Sequence, residues 1–274
     1  MRQALLGLLA WAMVLGAAEA GEAVDLELVL AVDISGSIDA DEARLQRDGY
    51  VAALTDPEVL KAIRSGIEGR IAITYFEWSG PETRRLLLDW TVIEDEASAR
   101  AAAAKLAAAP IRSGMSTSIS SAIEFAIPMY GRAYQSGRRV LDISGDGPNN
   151  AGPLVTFPRE RALAEGITIN GLPIINDRPN RTGFPSFKDL DLYFEHCVIG
   201  GPGAFLVVAE GFDTFAEAIR KKMIIEIADL SPPGLRRAAD SGPIRRASDA
   251  YPPGCYIGER QSREFWQRRY NSPY

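Results

Sequence analysis

The sequence predicts an α/β fold: a doubly wound, mostly parallel central sheet with helices on both faces and one antiparallel edge strand. Short apolar runs alternate with longer segments of helical periodicity from about residue 26 to about residue 230. Short apolar runs are typical of strands buried on both faces, and strands that alternate with helices of roughly 10–15 residues form βαβ units. The composition, with 46% hydrophobic residues, is that of a globular chain with a substantial core.

The first part of the chain contains one strand–helix unit followed by a pair of strands. Residues 26–32 form an apolar, β-favouring run and are predicted as the first buried strand, and residues 41–54 as a helix. Residues 70–77 are predicted as the second strand, because β-branched and aromatic residues fill the run. Residues 83–91 are predicted as its antiparallel neighbour.

The middle of the chain continues the alternation. An alanine-rich helix is predicted over 97–108 and an amphipathic helix over 118–129. A strand over 139–144, a helix over 154–165 and a strand over 167–175 follow. These segments supply further parallel βαβ units.

The last part of the domain contains a short helix predicted over 189–196, a strand over 204–209 and a helix over 212–227 with apolar residues at helical spacing. Beyond residue 230, Pro and Gly clusters break up an arginine-rich segment. We predict an irregular tail there, without the apolar periodicity for a core of its own. A partner-binding arm is the alternative interpretation of this segment.

The N-terminus has the pattern of a secretory signal peptide. A short basic start, Met1-Arg2-Gln3, precedes an apolar run over 4–18, and Ala18-Glu19-Ala20 has the small-x-small pattern of a cleavage site. The apolar run is about 15 residues long, short of the roughly 20 that span a bilayer. We therefore expect a signal peptide over 1–20, a domain over 21–230, a Pro/Arg-rich tail over 231–274, and an exported, periplasmic or secreted chain without a membrane span after cleavage. An uncleaved anchor is the alternative.

Charge and cysteine content restrict the partners and the chemistry. The net charge of −6 and the pI near 5.1 give no reason to expect nucleic acid as a partner. Export makes a disulfide between Cys197 and Cys255 reasonable, and this bond would tie the C-terminal segment to the domain. The alternative is one buried and one exposed thiol.

Oxygen-bearing side chains follow or precede the predicted elements at one edge of the sheet. Asp33, Ser35 and Ser37 follow the first strand at alternate positions, which places their oxygens on one side of an extended segment. Thr117 precedes a helix, and Asp146 follows the strand over 139–144 in a Gly-Asp-Gly sequence. Loops at the carboxyl ends of neighbouring strands converge, and hard oxygens suit Mg²⁺, Ca²⁺ or Mn²⁺ better than Zn²⁺.

These five residues resemble a known site. Asp33-x-Ser35-x-Ser37, Thr117 ahead of a helix and Gly-Asp146-Gly resemble the von Willebrand factor A (vWA) domain family, and their combination is similar to its metal-ion-dependent adhesion site (MIDAS). The resemblance covers about residues 25–230, and within the family the chain resembles a bacterial exported, DUF1194-like subgroup.

The resemblance implies a ligand set and a function. The serines coordinate a divalent cation directly, the threonine and the aspartates bind it directly or through water, and one position stays open. Mg²⁺ is the expected cation, with Mn²⁺ and Ca²⁺ as alternatives. A carboxylate of a protein partner would fill the open position, in an adhesion or assembly role without catalysis.

Each site residue also has a structural interpretation. Ser37 could cap the following helix, although Asp39 and Glu42 already form a capping pair there. Thr117 could be a helix N-cap and Asp146 a turn residue. The nearby Asp142 competes as second carboxylate, but its position inside a strand predicts a hydrogen-bonded group too deep in the core. The amides of Asn149 and Asn150 are predicted either to support the metal site or its partner, or to serve only the turn.

Other functional classes are represented more weakly. Metal-assisted hydrolysis, with Asp33 as nucleophile or ligand, and a metal-free structural scaffold remain as alternative functions. The only histidine, His196, lies at a predicted helix end, and no Gly-x-Ser-x-Gly sequence is present, which argues against hydrolases that need a histidine base. Gly145-x-Gly147 is followed by a third glycine at the wrong position, Gly152, and the next strand does not end in the acidic residue of a dinucleotide site.

Overall fold

The computed structural model describes residues 21–175, 186–228, 244–246 and 253–271. The predicted signal peptide and most of the predicted tail before residue 253 lie outside these residues. The strands are β1 (Glu22–Ala23), β2 (Glu27–Asp33), β3 (Ile71–Trp78), β4 (Arg84–Ile93), β5 (Tyr134–Gln135), β6 (Arg139–Gly145), β7 (Ile167–Ile175), β8 (Phe205–Val207), β9 (Ala209–Glu210) and β10 (Ile244–Arg246). The α-helices are α1 (Ala40–Leu54), α2 (Pro57–Arg64), α3 (Glu96–Ala108), α4 (Ile119–Ala126), α5 (Thr156–Ala164), α6 (Leu190–Tyr193), α7 (Phe215–Ile227) and α8 (Ile257–Asn271). Short 3₁₀ turns at Ile127–Met129 and Phe212–Thr214 and a π-helical turn at Phe194–Val198 complete the description.

The main sheet has the strand order β10-β8-β7-β6-β2-β3-β4, and β9 extends the pairing with β7. The strands from β8 to β3 run parallel to one another, and β4 is antiparallel to β3 at one edge. This confirms the predicted α/β architecture and its antiparallel edge strand. A second antiparallel strand, β10, closes the other edge by pairing with β8. It comes from the segment that the sequence predicts to be irregular.

The core lies on both faces of the sheet, and the central strand β2 is therefore buried along its whole length. Leu28 and Leu30 pack on the face covered by α1, α2, α3 and α7, whereas Val29 and Ala31 pack on the face covered by α4, α5 and α6. The alternation follows from the two-residue period of a strand. Parallel strands buried on both faces then direct their carboxyl ends, and any side chains in the loops there, to one edge of the sheet.

Two helices differ from the sequence-based expectation. Helix α2, for which the sequence analysis gives no element, begins with Asp56 as N-cap and Pro57 at the first helical position, which are ordinary start signals. Helix α8 lies where we predicted an irregular tail. Its arginines, glutamates and glutamines favour a helix, but it lacks the apolar stripe by which periodicity reveals one.

Helix α8 is attached to the domain by a covalent bond. A disulfide joins Cys197, in the π-helical turn, to Cys255, two residues before the helix begins, with 5.4 Å between the Cα atoms. Ile257 is buried against the core on the α4 face. Gly258 lies so close to the loop after β6 that a Cβ at this position would be 2.1 Å from the carbonyl oxygen of Asn149. The start of α8 is therefore packed against that loop.

Within the described ranges, none of the helices is both long enough and apolar enough to cross a bilayer.

Candidate metal site

The three loops that carry the five predicted ligands meet at the carboxyl edge of the sheet. Strand β2 pairs in parallel with both β3 and β6, so the loops after these strands leave on the same side. The segment before α4 is joined to this edge by two backbone hydrogen bonds: the amide of Gly114 donates to Ile34 O at 2.6 Å, and the amide of Ser118 donates to Ser79 O at 2.7 Å.

The first loop holds the Asp33 carboxylate and two hydroxyls close together. Asp33 is the last residue of β2 and is fully buried. The amide of Ser35 donates to Asp33 Oδ1 at 2.7 Å, and Gln46 Nε2 in α1 donates to Asp33 O at 3.3 Å. The hydroxyls of Ser35 and Ser37 are 3.1 Å apart. Because Asp39 and Glu42 form the capping box of α1, Ser37 is not needed as a cap.

Asp146 belongs to the same cluster, although it is 109 residues from Ser37. The Ser37 hydroxyl donates to Asp146 Oδ1 at 2.6 Å. The two glycines beside Asp146 contact the other predicted ligands: a Cβ at Gly145 would lie 3.0 Å from Asp33 Oδ2, and a Cβ at Gly147 would lie 3.6 Å from the hydroxyl oxygen of Thr117. The glycine before Asp146 thus lets the backbone of β6 approach the Asp33 carboxylate.

Thr117 is positioned by the loop that follows β6. Its amide donates to Asn150 Oδ1 at 2.9 Å, and the amide of Asn150 donates back to Thr117 O at 2.9 Å. Ser118, not Thr117, is the N-cap of α4. Asn149 is fully buried and accepts a hydrogen bond from the amide of Ser120 in the first turn of α4. The two asparagines therefore connect the loop of Asp146 to the segment of Thr117.

The cluster contains two carboxylates, those of Asp33 and Asp146. None of the described residues that form the cluster carries a positive charge to balance them. Burial, and then the negative charge of Asp146, raise the pKa of Asp33 well above its ordinary value. Burial also raises the pKa of Asp146 to about 6, against the lowering effect of the hydrogen bond from Ser37. Asp33 Oδ2 is buried and has no hydrogen-bond partner among the described residues. A buried carboxylate oxygen without a partner is costly.

This donor set fits a hard divalent cation. Mg²⁺ binds in proteins through one or two carboxylates, other oxygens and retained waters, and Ca²⁺ and Mn²⁺ also take oxygen ligands. The residues that could hold the ion are Asp33, Ser35, Ser37, Thr117 and Asp146. In the part of the chain that the structure describes, no group of three or more His, Cys, Asp or Glu side chains has the arrangement of a metal site. A cation here would depend on hydroxyl ligands beside two carboxylates.

Asp142, the competing carboxylate, lies in the core below the site. It is fully buried in β6, and its Oδ1 is 2.7 Å from Nζ of Lys222 in α7. Lys222 also contacts Glu226, one helical turn later, and Asn170 Nδ2 donates to Glu226 Oε1 at 2.9 Å. The expected depth of Asp142 agrees with this position. Its ion-pair partner was not foreseen, because the sequence of α7 gives no sign that Lys222 is buried.

Sequence reasoning also missed the structural roles of the two glycines and of Gln46. In the sequence analysis, Gly145 and Gly147 count as part of the Gly-Asp146-Gly pattern and of a rejected dinucleotide motif, without a structural role of their own. Glycines on both sides of a predicted ligand are a signal for close backbone approach, and this signal was available in the sequence. His196 lies in the π-helical turn and not in any of the three loops.

A family model described as "Protein of unknown function (DUF1194)" matches residues 23–231. The chain belongs to the DUF1194 family. The family match ends before α8. This helix, and Cys255 of the Cys197–Cys255 disulfide, therefore lie outside the matched residues. No curated protein matches this DUF1194 chain.

Several solved structures share the fold. The pilus adhesin SpaC from Lactobacillus rhamnosus GG has a TM-score of 0.56 at 14% identity, over 77% of this chain and 32% of SpaC. Proximal thread matrix protein 1 (PTMP1) from the mussel byssus, in a structure with a zinc-occupied MIDAS motif, has a TM-score of 0.51 at 14% identity, over 75% of this chain and 45% of PTMP1. BatB from Bacteroides thetaiotaomicron has a TM-score of 0.50 at 19% identity, over 74% of this chain and 99% of BatB.

These similarities establish the fold of the DUF1194 chain. Together with the family match they confirm the predicted α/β fold and the predicted similarity to the DUF1194 subgroup. The chain spans less than half of the length of PTMP1 and about a third of SpaC.

Proposed function

We propose that this chain is an exported vWA-like domain that binds a divalent cation and, through the cation, a carboxylate of a protein partner. The observation that carries the proposal is the unpartnered, buried Oδ2 of Asp33 beside a second carboxylate and three hydroxyls. A divalent cation would supply the positive charge and the electrophilic partner that this oxygen lacks.

The ligand set also supports the second half of the proposal. Two carboxylates at most neutralise a divalent charge, and hydrogen bonding of Asp146 to Ser37 occupies part of its acceptor capacity. Hydroxyl ligands are neutral and add no further negative charge, so the site would be at most neutral and a coordination position held by water would remain open to a third carboxylate. Mg²⁺ commonly retains exchangeable waters, and a partner's carboxylate could replace one of them. The similar folds of a pilus adhesin and a byssus matrix protein are compatible with such a role.

The first test is thermal unfolding of the mature chain in chelator and in Mg²⁺, Mn²⁺ or Ca²⁺. Metal that binds only the folded state stabilises it by about 2.7 kcal/mol at a hundredfold excess over its dissociation constant. Ser37→Ala should lose most of this stabilisation. Ser113→Ala, at an exposed serine in the Thr117 segment, is the matched control and should keep it. Equal melting temperatures of the parent chain in chelator and in all three metals would favour a metal-free scaffold instead.

The second test addresses the carboxylate. With Mn²⁺ bound, exchangeable water on the metal enhances the relaxation of bulk water protons. Titration with N-acetyl-aspartate amide should reduce this enhancement, whereas N-acetyl-asparagine amide should not. An enhancement that the carboxylate leaves unchanged would contradict partner binding through the metal. Turnover of phosphoester substrates in the same buffers would favour the hydrolase alternative.

A further inference from the structure

A groove lies beside the candidate metal site, between α8 and the loop that follows β6. It has a volume of about 710 Å³, and its lining includes Asn150, Leu154, Glu259, Arg263 and Trp266. The residues from α8 follow the spacing of one helical face, so the helix presents a continuous side to the loop. The groove exists because the disulfide and the close contact at Gly258 fix the start of α8 there.

The groove and the metal site share a wall. Asn150 lines the groove, and its side chain and amide are hydrogen-bonded to the backbone of the candidate ligand Thr117. The adjacent Asn149 donates from Nδ2 to Glu259 Oε1 in α8 at 2.8 Å. A partner that places a carboxylate on the proposed metal would therefore have beside it a groove whose lining residue Asn150 is hydrogen-bonded to the candidate ligand Thr117.

The groove offers an apolar contact and a positive charge. Leu154 is 39% exposed and Trp266 is 45% exposed, which is high for large apolar side chains.

The charge of α8 contrasts with that of the chain. The helix has four arginines against two glutamates, whereas the whole chain has a net charge of −6. Arg263 and Glu259 both line the groove, so the surplus positive charge belongs to the helix as a whole and not to the lining alone. Local positive charge on an acidic protein favours an acidic partner over a basic one.

We infer that this groove binds an extended, acidic peptide segment of a protein partner, with one apolar side chain against Leu154 and Trp266 and a second carboxylate near Arg263. This inference rests on the proposed function, because the first carboxylate of the same segment occupies the metal. The metal supplies the attachment, and the groove determines which carboxylate-bearing segments bind.

The test uses the mature full chain, immobilised in Mg²⁺ and, in parallel, in Mn²⁺. The probe is a pool of acetylated, amidated heptapeptides with a central aspartate and random residues elsewhere. Peptides released by chelator are expected to be enriched in an apolar residue and a second acidic residue on one side of the aspartate. Arg263→Glu should reduce the second acidic preference roughly three- to fivefold, the effect of one partly exposed ion pair. Trp266→Ala should remove the apolar preference.

Arg268→Glu is the matched control. It makes the same charge change on the same helix, at an exposed position outside the groove lining, and should select the same peptides as the parent chain. Metal-dependent thermal stabilisation, measured for all variants, shows that the fold and the metal site are intact. Chelator-sensitive capture with no sequence preference, or equal selection by Arg263→Glu and Arg268→Glu, would overturn the groove inference and leave the proposed function standing. Metal stabilisation without capture of any peptide would contradict both the carboxylate step and the groove.

Discussion

Replacement of Asp33 by asparagine should have opposite effects on stability without and with metal. Asp33 is fully buried, its Oδ2 has no hydrogen-bond partner among the described residues, and Asp146 adds a second negative charge nearby. Asparagine has nearly the same shape and keeps the oxygen that accepts from the amide of Ser35. The substitution removes the buried charge, so the metal-free variant should be more stable than the metal-free parent.

The magnitudes follow from the environment of this side chain. A buried acceptor without a partner costs about 1–3 kcal/mol. Because the amide also leaves one polar atom to be satisfied, we expect a gain near the lower end, about 1 kcal/mol. In a chain of this size that corresponds to about 2–4 °C in melting temperature. Metal at a hundredfold excess should raise the melting temperature of the parent by about 5–11 °C, and should leave Asp33→Asn unchanged.

Differential scanning calorimetry in chelator and in Mg²⁺ measures both effects, and the order of the two melting temperatures should reverse between the buffers. Asp48→Asn, an exposed aspartate on α1, is the control and should follow the parent in both. A metal-induced rise that survives in Asp33→Asn would refute the assignment of Asp33 as a ligand. A metal-free variant several degrees less stable than the parent would show that the carboxylate has a structural role.

Three further predictions concern the core and the disulfide. Lys222→Met should destabilise the chain by about 3–5 kcal/mol in urea unfolding, because Asp142 and Glu226 lose their buried cation; a loss below about 1 kcal/mol would contradict the ion pair. Burial, and then the negative charge of Glu226, raise the pKa of Asp142 to about 7, so its contribution to stability is complete below its ordinary pKa of 3.8 and is lost as the pH rises to about 7. The free energy of unfolding of Asp142→Asn should accordingly vary less between pH 4 and pH 7, and a slope equal to that of the parent would rule this out. Reduction of the Cys197–Cys255 bond, which closes a separation of 58 residues, should cost about 4 kcal/mol by chain entropy and speed amide exchange in α8; unchanged exchange there would show that packing alone holds the helix.

Much of the fold follows from local patterns. The strand at Glu27–Asp33 was predicted within one residue at each end, because an uninterrupted apolar run bounded by polar residues has few alternatives. The convergence of the Asp33, Thr117 and Asp146 loops also follows from the parallel order of the strands, which requires carboxyl ends to share an edge.

The features of the fold and of the site that the sequence did not predict depend on contacts between distant parts of the chain. Nothing near Lys222 indicates burial, since its partner Asp142 lies on β6, and Asn170, which donates to the neighbouring Glu226, lies on the adjacent β7; only the folded sheet places these strands under α7. Helix α8 cannot be predicted from hydrophobic periodicity, because a disulfide and a glycine contact attach it to the domain. An apolar stripe would have been visible in the sequence. The bond from Ser37 to Asp146 likewise has no local signature.

The 109-residue separation between Ser37 and Asp146 has a consequence for the order of folding. Contacts between residues so far apart form late, because loop closure must occur before they contribute favourable energy. The five-residue cluster therefore cannot assemble in an isolated N-terminal hairpin or helix, and it requires β2, β6 and the start of α4 to be in place together. A ligand that binds only this completed arrangement slows unfolding more than it accelerates folding. A chain in which β2, β6 and the start of α4 have not yet come together consequently lacks the five-residue cluster, and the proposed cation binding can begin only after they do.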